Sequence, residues 1–192
     1  MGRIVITEFV SLDGVMEDPG GSEDFEHGGW TFEINQGAEG GEFKMHETFG
    51  SEAMLLGRVT YEGFAEAWPS RDGEFADKFN AMPKYVISST LEDPTWTNSH
   101  VLGGGLVEEV TKLKGEVDGD IVVHGSASLA QGLLENDLVD ELRLMVFPVV
   151  LGTGKRLFGD PGDKKTLELV DSKVVGDGVL ILTYRPRTGT GL

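Results

Sequence analysis

The chain has no cysteine among its 192 residues. That excludes disulfides, thiolate zinc sites, iron–sulfur clusters and cysteine nucleophiles. Long apolar runs are missing too, since no stretch approaches the ~18–20 uninterrupted apolar residues of a membrane-spanning helix. Basic residues are scarce, 16 against 33 acidic ones, for a formal net charge of −17 at pH 7. Such a chain repels nucleic acid and anionic membranes unless it concentrates a basic patch. No basic cluster exceeds two adjacent residues, as in the pair Lys155-Arg156, so neither partner is expected. The four histidines, His27, His46, His100 and His124, show no metal-ligand spacing, and HExxH and calcium-loop patterns are missing. No metal is expected. Nor does the chain contain a Gly-x-Ser-x-Gly elbow, a Gly-x-Gly-x-x-Gly fingerprint or a Walker A loop. The start, Met1-Gly2-Arg3 followed by Ile4-Val5-Ile6-Thr7-Glu8, is too short in its apolar part for a secretory signal and carries Glu8. The expected compartment is the cytoplasm.

What remains reads as one globular domain. Arg3 to Val10 is β-rich and apolar on both faces, as a central strand covered on both sides would be. Pro19 to Gly41 is a glycine- and acid-rich segment with Phe25, Trp30 and Phe32 interleaved, read as a flap over a site. Helices are expected over 42–50, 61–68, 74–82, 106–114 and 129–136. Strands are expected over 53–56, 84–88, 99–102, 121–124 and 141–148. Two more, 167–175 and 179–184, flank the hairpin turn Gly176-Asp177-Gly178. Alternating strands and helices imply an α/β sheet, mostly parallel, finished by an antiparallel C-terminal hairpin.

In such sheets ligands sit at the carboxyl ends of the strands. Four turns fall there: Ser11 to Gly14, Gly57 to Thr60, Ser88 to Thr90 and Gly125 to Ser128. In Gly57-Arg58-Val59-Thr60 the glycine permits close backbone approach, Arg58 is a bidentate phosphate donor, and Thr60 can cap a helix or donate a hydroxyl. Gly125-Ser126-Ala127-Ser128 is a second anion corner of the same kind, with Ser126 as cap or donor. Ordinary strand–turn–helix junctions use the same residues, but one diphosphate spanning both helix starts explains the pair. Asp13 is either a simple Asp-Gly turn residue or a group that holds substrate or moves a proton. His124 reads as a packed strand-end histidine.

The ordered motifs are Ser11-Leu12-Asp13-Gly14, Leu55-Leu56-Gly57-Arg58-Val59-Thr60-Tyr61-Glu62, Tyr85-Val86-Ile87-Ser88-Ser89-Thr90, Val122-Val123-His124-Gly125-Ser126 and the stretch from Pro148 to Phe158. With them the chain resembles the dihydrofolate reductase superfold, in the branch related to the reductase domain of bacterial riboflavin biosynthesis. The resemblance implies a dihydrofolate reductase-like three-layer α/β fold over residues 1–186, with 187–192 a flexible tail. It also implies NADPH as cofactor. Gly57, Arg58 and Thr60 would hold the phosphates, Arg58 favouring the 2′-phosphate. Ser88 and Ser89 would lie near the adenosine end, and Gly125, Ser126 and Leu129 near the pyrophosphate. Asp13 would face the substrate and act in catalysis, and subunits would pair as a homodimer. Dihydrofolate reductases place a carboxylate on the first helix; here Glu42 is the nearest candidate. The expected activity is reduction of a small heterocyclic or sugar-derived molecule. The alternative is a nucleotide-binding module of the same fold without the reaction.

Overall fold

The two-faced apolar segment at the N-terminus forms β1 (Arg3–Ser11), which lies inside the sheet. The computed structural model describes residues 1–159 and 164–187. β1 pairs in parallel with β5 (Asp120–Val123) on one side and β6 (Glu141–Phe147) on the other. β2 (Ser51–Gly57) runs parallel to β5 and to β3 (Lys84–Ile87), and β3 runs parallel to β4 (Ser99–Leu102). β8 (Val179–Pro186) returns antiparallel to β6 and carries β7 (Leu167–Val175) on its outer side. The eight-stranded order is β4-β3-β2-β5-β1-β6-β8-β7. Because β1 to β6 all point the same way, their carboxyl ends share one edge of the sheet.

Helices cover both faces. Val110 and Leu113 of α4 (Leu106–Glu116) and Leu129 and Leu133 of α5 (Ala127–Glu135) pack on Ile4, Ile6, Leu55, Ile121 and Val123. On the opposite face Tyr61 of α2 (Arg58–Ala67), Phe79 of α3 (Glu74–Ala81) and Trp96 pack on Val5, Met54, Leu56 and Val122. α1 (Gly37–Phe49) lies on this second face beside α3. Strand residues therefore alternate between two apolar layers, which is why these strands read as continuous hydrophobic runs. This is the three-layer, mostly parallel arrangement with an antiparallel C-terminal hairpin expected from sequence. Among the described residues no helix is long and apolar enough to cross a membrane.

Two boundaries differ from expectation. α2 starts at Arg58, directly after β2, so Thr60 lies inside its first turn. α1 starts at Gly37 rather than Glu42, although glycine disfavours helix by about 1 kcal/mol relative to alanine. Tertiary packing overrides propensity here: a Cβ at Gly40 would meet Met145 Cε at 3.3 Å, so the small residue lets the helix sit close to β6. The glycine-rich segment before α1 is pinned. Trp30 is 1% exposed, donates from Nε1 to Glu17 O at 2.8 Å, and meets Phe147 edge-on at 5.5 Å. Of the expected tail, Arg187 N donates to Thr166 O at 3.0 Å. Residues 188–192 lie outside the described residues.

Candidate functional site

β2 and β5 are neighbours, so the two glycine corners at their ends meet. Gly57 N donates to Gly125 O at 3.1 Å. A Cβ at Gly57 would stand 2.3 Å from Ser126 Oγ and 3.0 Å from Ser126 N. Gly125 has φ +114°, and a Cβ there would stand 2.8 Å from Thr60 Oγ1. The Gly125–Ser126 peptide is cis. Glycine is favoured at both positions, by its positive φ at Gly125 and by crowding at both, because each corner fills the space where the other's side chain would go.

Neither helix start is capped by a side chain: Gly57 is the N-cap of α2 and Ser126 that of α5. The capping roles open to Thr60 and Ser126 are therefore not used. Thr60 lies past the cap position, and Ser126 Oγ sits 3.0 Å from Ser128 Oγ. The first-turn N–H groups of both helices stay open towards the shared edge, where they favour negative charge. Arg58 reaches Glu62 with Nη1 at 2.9 and 3.0 Å, on a side chain 45% exposed. Ser88 Oγ accepts from Thr90 N at 3.1 Å and Leu91 N at 3.0 Å, shaping its own turn, while Ser89 is exposed. Both lie at the end of β3, one strand out from Gly57. The Leu129 side chain is in the core, so only its backbone N–H, in the first turn of α5, can serve an anion at this edge.

Asp13 follows β1 and holds the segment after β6. Oδ1 accepts from Ser11 Oγ at 2.6 Å and Leu151 N at 3.1 Å, and Oδ2 accepts from Gly152 N at 2.9 Å. The Ser11 hydroxyl and the two backbone amides hold its pKa down at about 2. At neutral pH this carboxylate orients groups but has no proton to give.

A second polar group assembles beside the Gly125 corner, from residues that sequence reasoning passed over. Lys44 and Glu47 of α1 reach down to Thr7 of β1. Lys44 Nζ donates to Glu47 Oε2 at 2.5 Å and to Thr7 Oγ1 at 2.6 Å, and Thr7 Oγ1 donates to Glu47 Oε2 at 2.7 Å. Burial raises the Glu47 pKa, yet Lys44 and the hydrogen bonds outweigh it and the net direction is down. The Glu42 expected to supply the helix carboxylate is exposed; Glu47, 5% exposed, is the carboxylate that faces the sheet. Glu8 is 7% exposed, and its Oε1 is sealed from solvent with no hydrogen-bond partner among the described residues. Burial pushes its pKa well above the usual carboxylate range; Lys44 opposes this, and Glu47 and Glu23 add to it. His124, directly before Gly125, packs against Phe79 at 5.4 Å and Phe64 at 6.1 Å. Burial and Lys44 bring its pKa down to about 3, so the imidazole is neutral. The available signal for Glu8 was a lone acidic residue inside an otherwise apolar strand. For Glu47 there was none, because helix periodicity alone does not say which of several glutamates meets a strand far away in sequence.

The model of the RibD C-terminal domain matches residues 3–181. The chain belongs to the RibD C-terminal domain family. It is 29% identical over 191 residues to the uncharacterized protein YyaP of Bacillus subtilis (strain 168), covering 95% of this chain and 94% of that one. A protein of Shewanella sp. PV-4, provisionally named for riboflavin biosynthesis, superposes with a TM-score of 0.78 at 22% identity, covering 96% of this chain and 99% of that one. A pyrimidine reductase-like protein of Corynebacterium diphtheriae gives a TM-score of 0.68 at 14% identity, covering 97% and 92%. This RibD C-terminal domain thus has the dihydrofolate reductase-like, reductase-type fold. Its chemistry at the shared edge suits a diphosphate: two uncapped helix starts in contact, glycine on both, and a guanidinium on the first residue of one of them.

Proposed function

We propose that the chain is an NADPH-dependent reductase acting on a C=N or C=O group of a small heterocyclic or sugar-derived molecule. The contact between the Gly57 and Gly125 corners carries this reading, since it turns two weak anion sites into one. The N–H groups of Thr60, Ser126 and Leu129 and their neighbours would hold the diphosphate, and Arg58 would take the 2′-phosphate. Arg58 must exchange Glu62 for it. An exposed i,i+4 pair is worth only about 0.3–0.5 kcal/mol, so the exchange is cheap. Ser88 and Ser89 would border the adenosine. Asp13 would orient the substrate side through its grip on residues 151–152. The reduced nicotinamide would supply hydride, and the protein supplies position, electrostatics and exclusion of water. The outward side chains of Leu169, Val170 and Val174 on β7, at the sheet margin, support pairing into a homodimer. We place the protein in the cytoplasm, where NADPH is available.

A second reading, a nucleotide-binding module without turnover, draws support from Asp13, whose two oxygens are already engaged by backbone. Titration of NADPH and NADH into the purified protein, followed by nicotinamide fluorescence, tests both. NADPH should bind more tightly than NADH. Arg58→Ala should weaken NADPH about tenfold or more, the loss of one charge-assisted phosphate pair worth about 1.5–3 kcal/mol, and leave NADH nearly unchanged. Binding of neither nucleotide refutes both readings. NADPH oxidation with a panel of pterins, pyrimidines and quinones then separates reductase from silent module.

A further inference from the structure

Glu8 is costly where it stands. A buried carboxyl oxygen without a partner destabilises a fold, and a catalytic role is one of the few reasons such a group is kept. Glu47 Oε1 shares the condition, but at 3.7 Å it has the Arg143 guanidinium facing it, and Glu8 Oε1 has no cation so close among the described residues. Its place on the sheet is specific. β1 and β5 pair from Arg3 with Asp120 to Ile6 with Val123. Continuing that register sets Thr7 level with His124 and Glu8 level with Gly125, where β5 has already turned away towards α5. β1 runs on to Ser11 paired only with β6. Glu8 therefore stands on the part of β1 that outruns β5, next to the corner given to the cofactor.

We propose that Glu8 is the proton donor and hydrogen-bond anchor for the substrate, a planar nitrogen heterocycle reduced at a C=N bond. This rests on the reductase reading of the site. The surrounding charges divide the labour between two carboxyl groups. Glu47 stays ionised, its charge balanced by Lys44 and its Oε2 hydrogen-bonded by Thr7. Glu47 from α1 and Glu23 from the loop before it disfavour a second negative charge on Glu8, and neutral His124 adds none. Lys44 alone favours ionisation of Glu8, and burial outweighs it. The step balances. The substrate carbon gains a hydride and its electron pair from the reduced nicotinamide, which is oxidised. The substrate nitrogen gains the Glu8 proton, C=N becoming CH–NH, and the Glu8 carboxylate recovers a proton from water. Asp13, held at a pKa of about 2, cannot perform this role.

The test is Glu8→Gln in the full chain, read first without any ligand. Infrared difference spectra at neutral pH should show a protonated carboxylic acid band in the wild type that the variant lacks. Thermal stability gives the same reading. The folded pKa of Glu8 lies above its free value of 4.5, so the wild type loses stability as pH rises from 4.5 through the folded value, and Glu8→Gln lacks that loss. NADPH affinity should stay within twofold. NADPH oxidation with the best of a pterin and pyrimidinone panel should fall about 10²–10⁴-fold, the usual contribution of a positioned acid. A missing acid band, or turnover within fivefold of wild type, overturns the proposal while leaving NADPH binding intact. Failure of the wild type to bind NADPH overturns the reductase reading and this proposal with it. Should Glu8→Gln not fold, Glu47→Gln reads the same site. Losing a negative neighbour should move the titration of the Glu8 band to lower pH, and an unmoved band overturns the proposal.

Discussion

Gly57→Ala probes the contact on which the cofactor assignment rests. The backbone at Gly57 has φ −77° and ψ 156°, which alanine adopts freely, so any effect is steric. The new Cβ would lie 2.3 Å from Ser126 Oγ and 3.0 Å from both Ser126 Cβ and Ser126 N. The hydroxyl can swing to another rotamer. The Cβ and the backbone nitrogen cannot, so the α5 start must retreat by a few tenths of an ångström. Overpacking of this kind costs about 1–3 kcal/mol. For a chain of this size that lowers Tm by about 2–12 °C. The same displacement parts the two sets of helix-start amides, so NADPH affinity should fall about tenfold, equivalent to about 1.4 kcal/mol. Differential scanning calorimetry and fluorescence titration measure the two effects. Ser126→Gly removes two of the three obstructing atoms, so the double variant should recover part of both losses, a coupling that additive sites would not show. If Gly57→Ala leaves Tm and NADPH affinity at wild-type values, the corners are not in the tight contact described, and the single-diphosphate argument fails.

Asp13→Asn should lower stability by about 1–3 kcal/mol, because a charged acceptor for two amides and a hydroxyl is lost. The folded pKa of about 2 lies below the free value of 3.8, so the stabilisation is full above pH 3.8 and is lost as pH falls towards 2. Acid unfolding of the wild type should steepen in that window and that of the variant should not; parallel curves would show that Asp13 does not hold residues 151–152. Trp30→Ala should cost about 3–5 kcal/mol, as expected for a buried aromatic, while NADPH affinity barely changes. A Tm within 2 °C of wild type, about 1 kcal/mol at this size, would mean that the glycine-rich segment is not anchored by this ring.

The fold was legible because the central strands β1, β2, β5 and β6 bury both faces and the turns at their ends carry glycine or hydroxyl residues. The segment from Arg3 could only be central, and Gly57 and Gly125 marked strand ends leading into helices. Less legible was anything that depended on which strand lies beside which. Thr60 and Ser126 looked like caps; the early start of α2 and the contact between corners put their side chains elsewhere. Glu42 and Glu47 are alike as letters on one helix, and packing on β1 made only Glu47 a buried partner of Thr7. Trp30 suggested a flap, but the edge-on contact with Phe147, more than a hundred residues away, fixes it in the core.

Composition and pattern alone settled that this acidic, cysteine-free chain builds an α/β sheet with glycine corners leading from strands into helices, because those properties follow from local periodicity and backbone permissiveness. Tertiary structure alone decided that two of those corners touch, that Asp13 is held as an anion by backbone amides, and that Glu8 is buried on β1 with one carboxyl oxygen unpartnered among the described residues. The reason is that pKa, contact and burial depend on neighbours brought together by strand order, and strand order is set by long-range pairing that no window of sequence contains.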